Sequence, residues 1–379
     1  MVEYVPLLAI ALLCFGIAFS ITYFLIPKIV WVAREKELVV KPDHRSSHRI
    51  ITPSFGGVAF FICFILCYSV LSSEYAFMHS SFVIPAVTLL FIVGLKDDLV
   101  VSSARAKLIG QLMAVAFLFL NPDFSKISLH GFLGVDMLSA WVSVPLVFIF
   151  MVGFINAYNL IDGIDGLAAF LGIIIFGAMG TVFYLGGEDF YFLVCTLLIG
   201  SLLAFIRFNF SKKITHKIFM GDTGSLFIGF LIAFLSLKVL AMDPEKIIGF
   251  ELLPENFPLL VMVILSIPIF DTFRIMLVRK MTGKGIFVPD RNHVHHILID
   301  LGLTHFKTSV LLSALLLVLI FSTYLLGTYF GWPVLLLFIC LLAVMAYTVF
   351  HFLKSKVKPF RIKRKKLKAR LAFFQGFFY

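Results

Sequence analysis

The sequence predicts an all-α, polytopic integral membrane protein with about eleven transmembrane helices. Hydrophobic residues make up 61% of the 379 residues and charged residues only 14%, a balance far outside that of soluble globular domains. Apolar segments long enough to cross a bilayer follow one another along the chain. Basic residues lie almost entirely in alternate connections between these segments, which predicts an N-terminus outside and a C-terminus in the cytoplasm.

The predicted helices follow from the lengths of the apolar segments, since about 20 apolar residues cross the hydrocarbon core. The first segment is too long for a secretory signal and no small-residue cleavage pattern follows it, so we expect it to be retained. One transmembrane domain is expected over 1–353 and a basic cytoplasmic tail over 354–379. The predicted spans lie near residues 5–27, 55–74, 79–95, 106–122, 140–160, 167–186, 189–207, 223–240, 258–278, 308–329 and 332–353.

The distribution of positive charge predicts the orientation. All but three of the 32 Lys and Arg residues lie after odd-numbered spans or in the tail; the exceptions are Lys126, Lys238 and Lys246. Because basic connections stay in the cytoplasm, the net charge of +11 is a topology signal and does not indicate a nucleic-acid partner. The tail could bind anionic lipid headgroups or act as a simple anchor, and both readings stay open.

Adjacent carboxylates close the third span. Asp97 and Asp98 would repel each other at a membrane boundary unless a cation offsets their charge. A divalent metal is one such cation, and Lys96 and Lys107 are the alternative. The alternative to a functional carboxylate pair is that both side chains simply end the helix in water.

The connection after the fifth span is rich in amides and carboxylates. Asn156 and Asn159, and then Asp162 and Asp165, are spaced three residues apart, so a helical stretch would place successive members near one face. Carboxylates beside neutral amides suit a hard cation and the hydrogen-bonding edge of a base or sugar. A polar turn between two spans is the alternative, but it does not require two Asn and two Asp.

A third acidic motif begins the eighth span at Asp222, in the string Met-Gly-Asp-Thr-Gly-Ser. Asp or Thr before an apolar run is a common helix N-cap. A helix N-terminus also favours anions, which would place Asp222 well to share a metal bound to a diphosphate. The two interpretations are equally weighted.

Histidines follow the ninth span. Arg291, His293, His295 and His296 lie together, and no further Cys or His stands at structural-zinc spacing. Hydrogen-bond donation to phosphate oxygens is therefore the better interpretation of these side chains. Arg45 and His48 in the first cytoplasmic connection are further candidates for phosphate or nucleotide contacts, although positive-inside topology alone would explain their charge.

In this order, these strings resemble the polyprenyl-phosphate N-acetylhexosamine-1-phosphate transferases, in the branch that uses UDP-N-acetylglucosamine. The matching strings span residues 40–296 and are HRSSH with TPxxGG, GxxDD, NxxNxxDGxDGL, MGDxGS and DRxHxHH. Any one of them is weak, whereas five in order on one predicted face are highly specific. Lys41 departs from the family, in which an Asp is common in that part of the first connection.

The resemblance implies transfer of a sugar-1-phosphate from a UDP-sugar to undecaprenyl phosphate, with release of UMP and a requirement for Mg²⁺ or Mn²⁺. It places the site at the cytoplasmic face of the bacterial inner membrane. The expected catalytic residues are Asp97, Asp98, Asp162, Asp222 and His293. The expected substrate-binding residues are Arg45, His48, Asn156, Asp165, Arg291, His295 and His296, and the expected metal ligands are Asn159 and Asp222, with Asp97 as the alternative second ligand.

Two other functions are weighed against this one. The related branch that uses UDP-N-acetylmuramoyl-pentapeptide typically has ten spans. A transporter of an anionic solute would place ionisable residues near the middle of broken helices, whereas the clusters here lie at one boundary. The identity of the hexosamine, direct or covalent transfer, and a homodimer stay open.

Overall fold

The computed structural model describes residues 6–38, 52–74, 82–100, 102–283, 285 and 292–375. These residues form α-helices and short 3₁₀ turns, with no β-strand in the described ranges, so the all-α prediction is confirmed. The helices are α1 Leu7–Glu35, α2 Gly56–Glu74, α3 Val83–Leu99, α4 Ala104–Leu118, α5 Ala140–Ile161, α6 Leu167–Leu185, α7 Asp189–Asn209, α8 Gly221–Leu240, α9 Phe257–Ile264, α10 Ser266–Met281, α11 Val294–Asp300, α12 His305–Tyr329 and α13 Trp332–Gln375.

Each predicted span overlaps a helix, but the ninth is broken into α9 and α10. The segment that ends at Ile264 and helix α10 meet at 68°. Pro268 lies in the first turn of α10, where its ring cannot donate to the carbonyl of Ile264 and clashes with it in a continuous helix. The proline therefore explains the break.

The number of helices long enough to cross a membrane is smaller than the number of spans predicted from the sequence. Within the described ranges, seven helices are long and apolar enough to cross a membrane, and the bent pair makes an eighth. Helices α3 and α4, with 17 and 15 residues, fall below that length. The structure is thus a polytopic all-helical protein, while the count of eleven and the orientation stay predictions. Helix α13 continues without interruption through the predicted domain boundary at residue 353.

Helix α8 lies at the centre of the helix bundle. In its apolar window 83% of the residues are buried, against 11% for α13. It packs against α2, α3, α5 and α6. Because the acidic motif begins this helix, Asp222 is placed at the end of the central element, among the ends of its neighbours.

Two glycines allow α2 and α3 to approach the first turn of α8. A Cβ on Gly57 would lie 2.2 Å from the backbone nitrogen of Gly224, and one on Gly94 would lie 2.5 Å from the Cα of Thr223. No side chain fits at either position without moving a backbone. The TPxxGG and GxxDD strings therefore have a packing role that brings their neighbours to the site.

Candidate functional site

The carboxylate of Asp98 closes the N-terminus of α8. Its two oxygens accept the backbone N–H groups of Asp222 and Thr223, each at 2.9 Å, and the Thr223 hydroxyl also donates to it. The residue that precedes α8, Met220, makes no side-chain cap. Asp98 thus supplies from α3 the acceptor that a helix N-terminus needs.

Lys107 on α4 connects two of the acidic motifs. Its ammonium lies 3.0 Å from Oδ2 of Asp97 and contacts Oδ2 of Asp222. The other oxygen of Asp97 accepts the backbone N–H of Ser102 at 2.7 Å. A cation therefore already lies between the carboxylates of Asp97 and Asp222, which were the two acidic candidates for a metal ligand.

Asn159, in the last turn of α5, is oriented towards the same place. Its amide nitrogen donates to Oδ1 of Asp222 at 2.9 Å and to the hydroxyl of Ser225 at 2.7 Å. Both amide hydrogens are used in this way, which leaves the Asn159 carbonyl oxygen as an acceptor. The predicted pair of Asn159 and Asp222 is brought together.

Asp162 follows α5 directly and lines a cavity of about 300 Å³. Within the part of the chain that the structure describes, its carboxylate has no hydrogen-bond or ion-pair partner. Burial raises the pKa of Asp162 well above its usual range, and the nearby carboxylates of Asp222, Asp165 and Asp98 raise it further. Asp162 is therefore a carboxylate that has room for a ligand and gains from a nearby cation.

Asp165 differs from Asp162 because it is neutralised by its neighbours. Its Oδ2 lies 2.7 Å from the ammonium of Lys217 and 3.2 Å from Nδ1 of His305. The next residue, Gly166, has a φ of 80°, and its N–H donates to Asn209 at 2.6 Å. This left-handed turn starts α6 and fixes the loop that carries both aspartates.

The histidines cluster at the N-terminus of α11, with His293 directly before its first residue. His293 Nδ1 lies 2.8 Å from Oδ2 of Asp271, and the other oxygen of Asp271 accepts from Arg274 at 3.0 Å and from the N–H of Val294 at 2.9 Å. Asp271 therefore orients the ring of His293 from α10.

The other two histidines differ in their access to the cavity. The rings of His295 and His296 have centroids 4.3 Å apart. His296 lines the cavity beside Asp162, whereas His295 is fully buried behind Gly163. Burial lowers the pKa of His295 well below its usual range, with His296 adding to the effect, so its ring is neutral at physiological pH.

The cavity brings the motifs together. Its lining includes residues from six separate segments of the chain: Ser54, Asp98, Asn159, Asp162, Gly163, Ile164, Asp165, Asn209, Phe219, Met220, Gly221, Asp222 and His296. Segments that lie far apart in sequence therefore share one polar chamber at one end of the bundle.

One predicted site residue, Asn156, lies away from this chamber. Asn156 forms two hydrogen bonds with Gln111 of α4, at 2.8 and 3.2 Å, so it connects two helices one turn away from the cavity. Arg45, His48 and Arg291 lie outside the described residues.

The donor chemistry suits Mg²⁺ better than a metal that needs many protein ligands. No group of three or more His, Cys, Asp or Glu side chains is arranged around one point in the described ranges. Mg²⁺ commonly takes one or two carboxylates and completes its shell with water and substrate phosphates. Asp222, the amide carbonyl oxygen of Asn159 and Asp97 fit that pattern.

Several residues of the site were not identified from the sequence. Lys217 was counted only as a topology signal, although it neutralises Asp165. Neither Asp271 nor Arg274 is among the site residues predicted from the sequence, although Asp271 positions His293 and pairs with Arg274. Their signal was an acidic and a basic residue three apart on an apolar helix, which is costly unless both are used.

The membrane-crossing helices and the polar chamber define the protein as an integral membrane protein with a polar site at one end of its bundle. Comparison with known proteins then identifies its family. The family model described as glycosyl transferase family 4 matches residues 80–240. A Bacillus subtilis (strain 168) protein named "Probable undecaprenyl-phosphate N-acetylglucosaminyl 1-phosphate transferase" is 32% identical over 76% of this chain and 77% of its own.

Two further relatives agree with this match. The undecaprenyl-phosphate alpha-N-acetylglucosaminyl 1-phosphate transferase of Yersinia pestis is 30% identical over 74% of this chain and 75% of its own. The decaprenyl-phosphate N-acetylglucosaminephosphotransferase of Mycobacterium leprae (strain TN) is 31% identical over 81% of each chain. The chain belongs to the polyprenyl-phosphate N-acetylhexosamine-1-phosphate transferase family.

Proposed function

We propose that this protein transfers N-acetylglucosamine-1-phosphate from UDP-N-acetylglucosamine to a polyprenyl phosphate, undecaprenyl phosphate in the first instance. The products are the lipid diphosphate sugar and UMP, and the reaction starts a cell-surface polysaccharide. The observation that carries this proposal is the convergence of Asp98, Asn159, Asp162 and Asp222 on one chamber, in a chain whose relatives are named for this transfer to undecaprenyl or decaprenyl phosphate.

The reaction exchanges one phosphoanhydride bond for another. An oxygen of the lipid phosphate attacks the phosphorus that bears the sugar, the bond from that phosphorus to the bridging oxygen breaks, and UMP leaves with the electron pair. Two anionic phosphates must approach each other, so cationic groups must offset their charge. Direct attack and a covalent aspartyl intermediate both remain open.

A bound Mg²⁺ would supply that positive charge and polarise the phosphoryl oxygens. Asp222 and the carbonyl oxygen of Asn159 would hold it, with Asp97 as the alternative second ligand. This assignment is supported by the contacts of Asp97 and Asp222 with the ammonium of Lys107 and by the hydrogen bond from Asn159 to Asp222. The carboxylate of Asp162, which lines the chamber, would then contact metal-bound water or the nucleotide.

The remaining side chains of the site fall into two groups: those that position other residues and those that contact substrate. Asp98 is engaged by α8, so we assign to it the placement of Asp222 as well as the predicted contact with the lipid phosphate. His296 would donate to the diphosphate, since it lines the chamber. His293, oriented by Asp271, would act beside it, and His295 would position both rings.

The proposed location is the cytoplasmic boundary of the bacterial inner membrane. One substrate is a lipid and the other is soluble in water, so the reaction needs a site that both can reach. The basic connections of the chain lie on the same predicted side as the chamber residues, which supports a cytoplasmic site.

The test is release of UMP by purified protein with undecaprenyl phosphate, Mg²⁺ and a panel of UDP-sugars, with and without EDTA. We expect release with UDP-N-acetylglucosamine that EDTA abolishes and Mn²⁺ or Mg²⁺ restores. Release only with UDP-N-acetylmuramoyl-pentapeptide would move the protein to the peptidoglycan branch. A folded sample with no release from any donor would contradict the proposal and favour an anion transporter.

A further inference from the structure

A second pocket lies between α10 and α13, and it shares no described lining residue with the chamber. It has a volume of about 130 Å³. Arg274, His351 and Lys354 give it a basic lining, and Thr282 and Tyr347 add two hydroxyl groups. None of the described residues that line it is acidic. A pocket with donors on several sides and no acidic wall is suited to an anion.

Two donors in this pocket lack a good acceptor. The Nε of Arg274 is buried and has no hydrogen-bond partner among the described residues, although the Nη2 of the same side chain binds Asp271. The hydroxyl of Tyr347 points at the sulfur of Met281, 3.7 Å away, and a thioether is a weak acceptor. Since a buried donor without an acceptor is costly, an oxygen-rich ligand would satisfy the Nε of Arg274, and it would offer the Tyr347 hydroxyl a stronger acceptor than the thioether.

The surroundings indicate that this anion carries a lipid. Exposed apolar side chains cover the adjacent surfaces of both helices, with Phe273 and Leu277 on α10 and Val344 and Val349 on α13. The apolar run of α13 gives way to basic residues at Lys354 and Lys356. The pocket is therefore at the depth where an apolar surface meets basic side chains, which is the level of phospholipid headgroups.

We propose that the pocket between α10 and α13 binds the phosphate of an anionic phospholipid headgroup, with Arg274, Tyr347 and Lys354 as donors and the acyl chains along the apolar faces of the two helices. The ligand class is an anionic diacyl phospholipid of the surrounding membrane, and free inorganic phosphate, which shares the headgroup chemistry but lacks the acyl chains, is the alternative source.

Binding at this pocket would reach the transferase chamber through one side chain. Arg274 also donates to Asp271 and to the backbone carbonyl of Asn292, and Asp271 holds His293 at 2.8 Å. A headgroup bound to Nε would restrain the Arg274 guanidinium, which holds the Asp271 carboxylate and the Asn292 carbonyl in place. The lipid would thus act as a positioning ligand for the histidine cluster, without contact with the sugar nucleotide.

The experiment compares thermal unfolding of the full chain in phosphatidylcholine nanodiscs with and without phosphatidylglycerol, in the absence of any UDP-sugar. The test variant is Lys354→Gln combined with His351→Gln, and Lys356→Gln is the matched control. Lys356 lies on the same helix but against the ring of Phe352 and does not line the pocket. A third arm adds inorganic phosphate to phosphatidylcholine discs.

We expect phosphatidylglycerol to raise the unfolding temperature of the wild type and of Lys356→Gln equally, and the double variant to lose more than half of that increase. Equal increases in all three proteins would overturn the proposal, because the tail or the general surface charge would then account for them. An equal increase with inorganic phosphate alone would overturn the lipid assignment. Since no donor sugar is present, these outcomes are independent of the transferase assay.

Discussion

The carboxylate of Asp98, at the end of α3, accepts the backbone N–H of Thr223, 2.9 Å away at the start of α8. This contact joins two motifs that lie more than a hundred residues apart, and it places Asp222 beside it. The most buried helix of the bundle is capped by a residue of another helix. The same contact therefore stabilises the core and positions a residue of the site.

Removing this cap is expected to cost stability as well as activity. Asp98→Ala should destabilise the protein by about 1–2 kcal/mol, the usual effect of losing a helix N-cap, and Asp98→Asn should recover part of it because the amide oxygen still accepts. Thermal unfolding in detergent measures the difference. Asp243→Ala, which removes the cap of an exposed 3₁₀ turn, is the control and should change the unfolding temperature less.

The same pair of variants tests whether Asp98 serves as a base. If Asp98→Asn exchanged labelled UMP into UDP-sugar at the wild-type rate, a base role would be ruled out and only the cap would remain. A large loss of exchange in a variant that unfolds at nearly the wild-type temperature would instead support a direct role at the lipid phosphate.

Lys107 is expected to keep the site assembled when metal is absent. Lys107→Met leaves the carboxylates of Asp97 and Asp222 without the cation that both contact, which should cost about 1–3 kcal/mol in EDTA. Mg²⁺ or Mn²⁺ should then raise the unfolding temperature of the variant more than that of the wild type. Arg105→Met, an exposed position on the same helix, is the control. An unchanged metal response in Lys107→Met would contradict the shared cation position.

Asp162 should impose a pH dependence on stability in metal-free conditions. Burial and neighbouring carboxylates raise the pKa of Asp162 in the folded state, so the folded protein holds this proton more tightly than the unfolded chain. Stability from this group is therefore complete below the ordinary carboxyl pKa of about 4 and falls as pH rises towards the folded-state pKa.

The substitution Asp162→Asn removes that proton equilibrium. Its unfolding temperature in EDTA, relative to the wild type, should increase as the pH is raised from about 4 to neutrality. Asp165→Asn should show the opposite sign at neutral pH, because it leaves the buried ammonium of Lys217 without its partner. A pH-independent difference for Asp162→Asn would show that folding does not raise the pKa of this carboxyl group.

The helices were largely predictable, because apolar length is a local property of the sequence. The sequence analysis does not predict the break before α10 although Pro268 marks it, since no charged residue interrupts the apolar run before Asp271. The gathering of Asp97, Asn159 and Asp222 followed from their placement after odd-numbered spans. The ion-pair and hydrogen-bond partners of the acidic residues could not be predicted from the order of the spans.

Those partners depend on contacts between distant segments. The ion pair of Lys217 with Asp165 and the contact of Asp271 with His293 join different elements, and no periodicity in either segment indicates its partner. Asn156 shows the converse limit: its spacing suggested a ligand, whereas packing pairs it with Gln111. Residue type and spacing indicate that a polar group is needed, and the packing of the helices decides what it contacts.

Gly163 gives the sharpest steric test of the histidine cluster. A Cβ at this position would lie 2.2 Å from Nε2 of His295, whose ring is fully buried and has little room to move. Gly163→Ala should therefore displace the cluster, cost about 1–3 kcal/mol through overpacking and lower UMP release strongly. Gly153→Ala, in α5 with nothing within 4 Å of the added atom, is the control and should unfold at or above the wild-type temperature. If the two variants matched in stability and UMP release, the packing of His295 against the aspartate loop would not support catalysis.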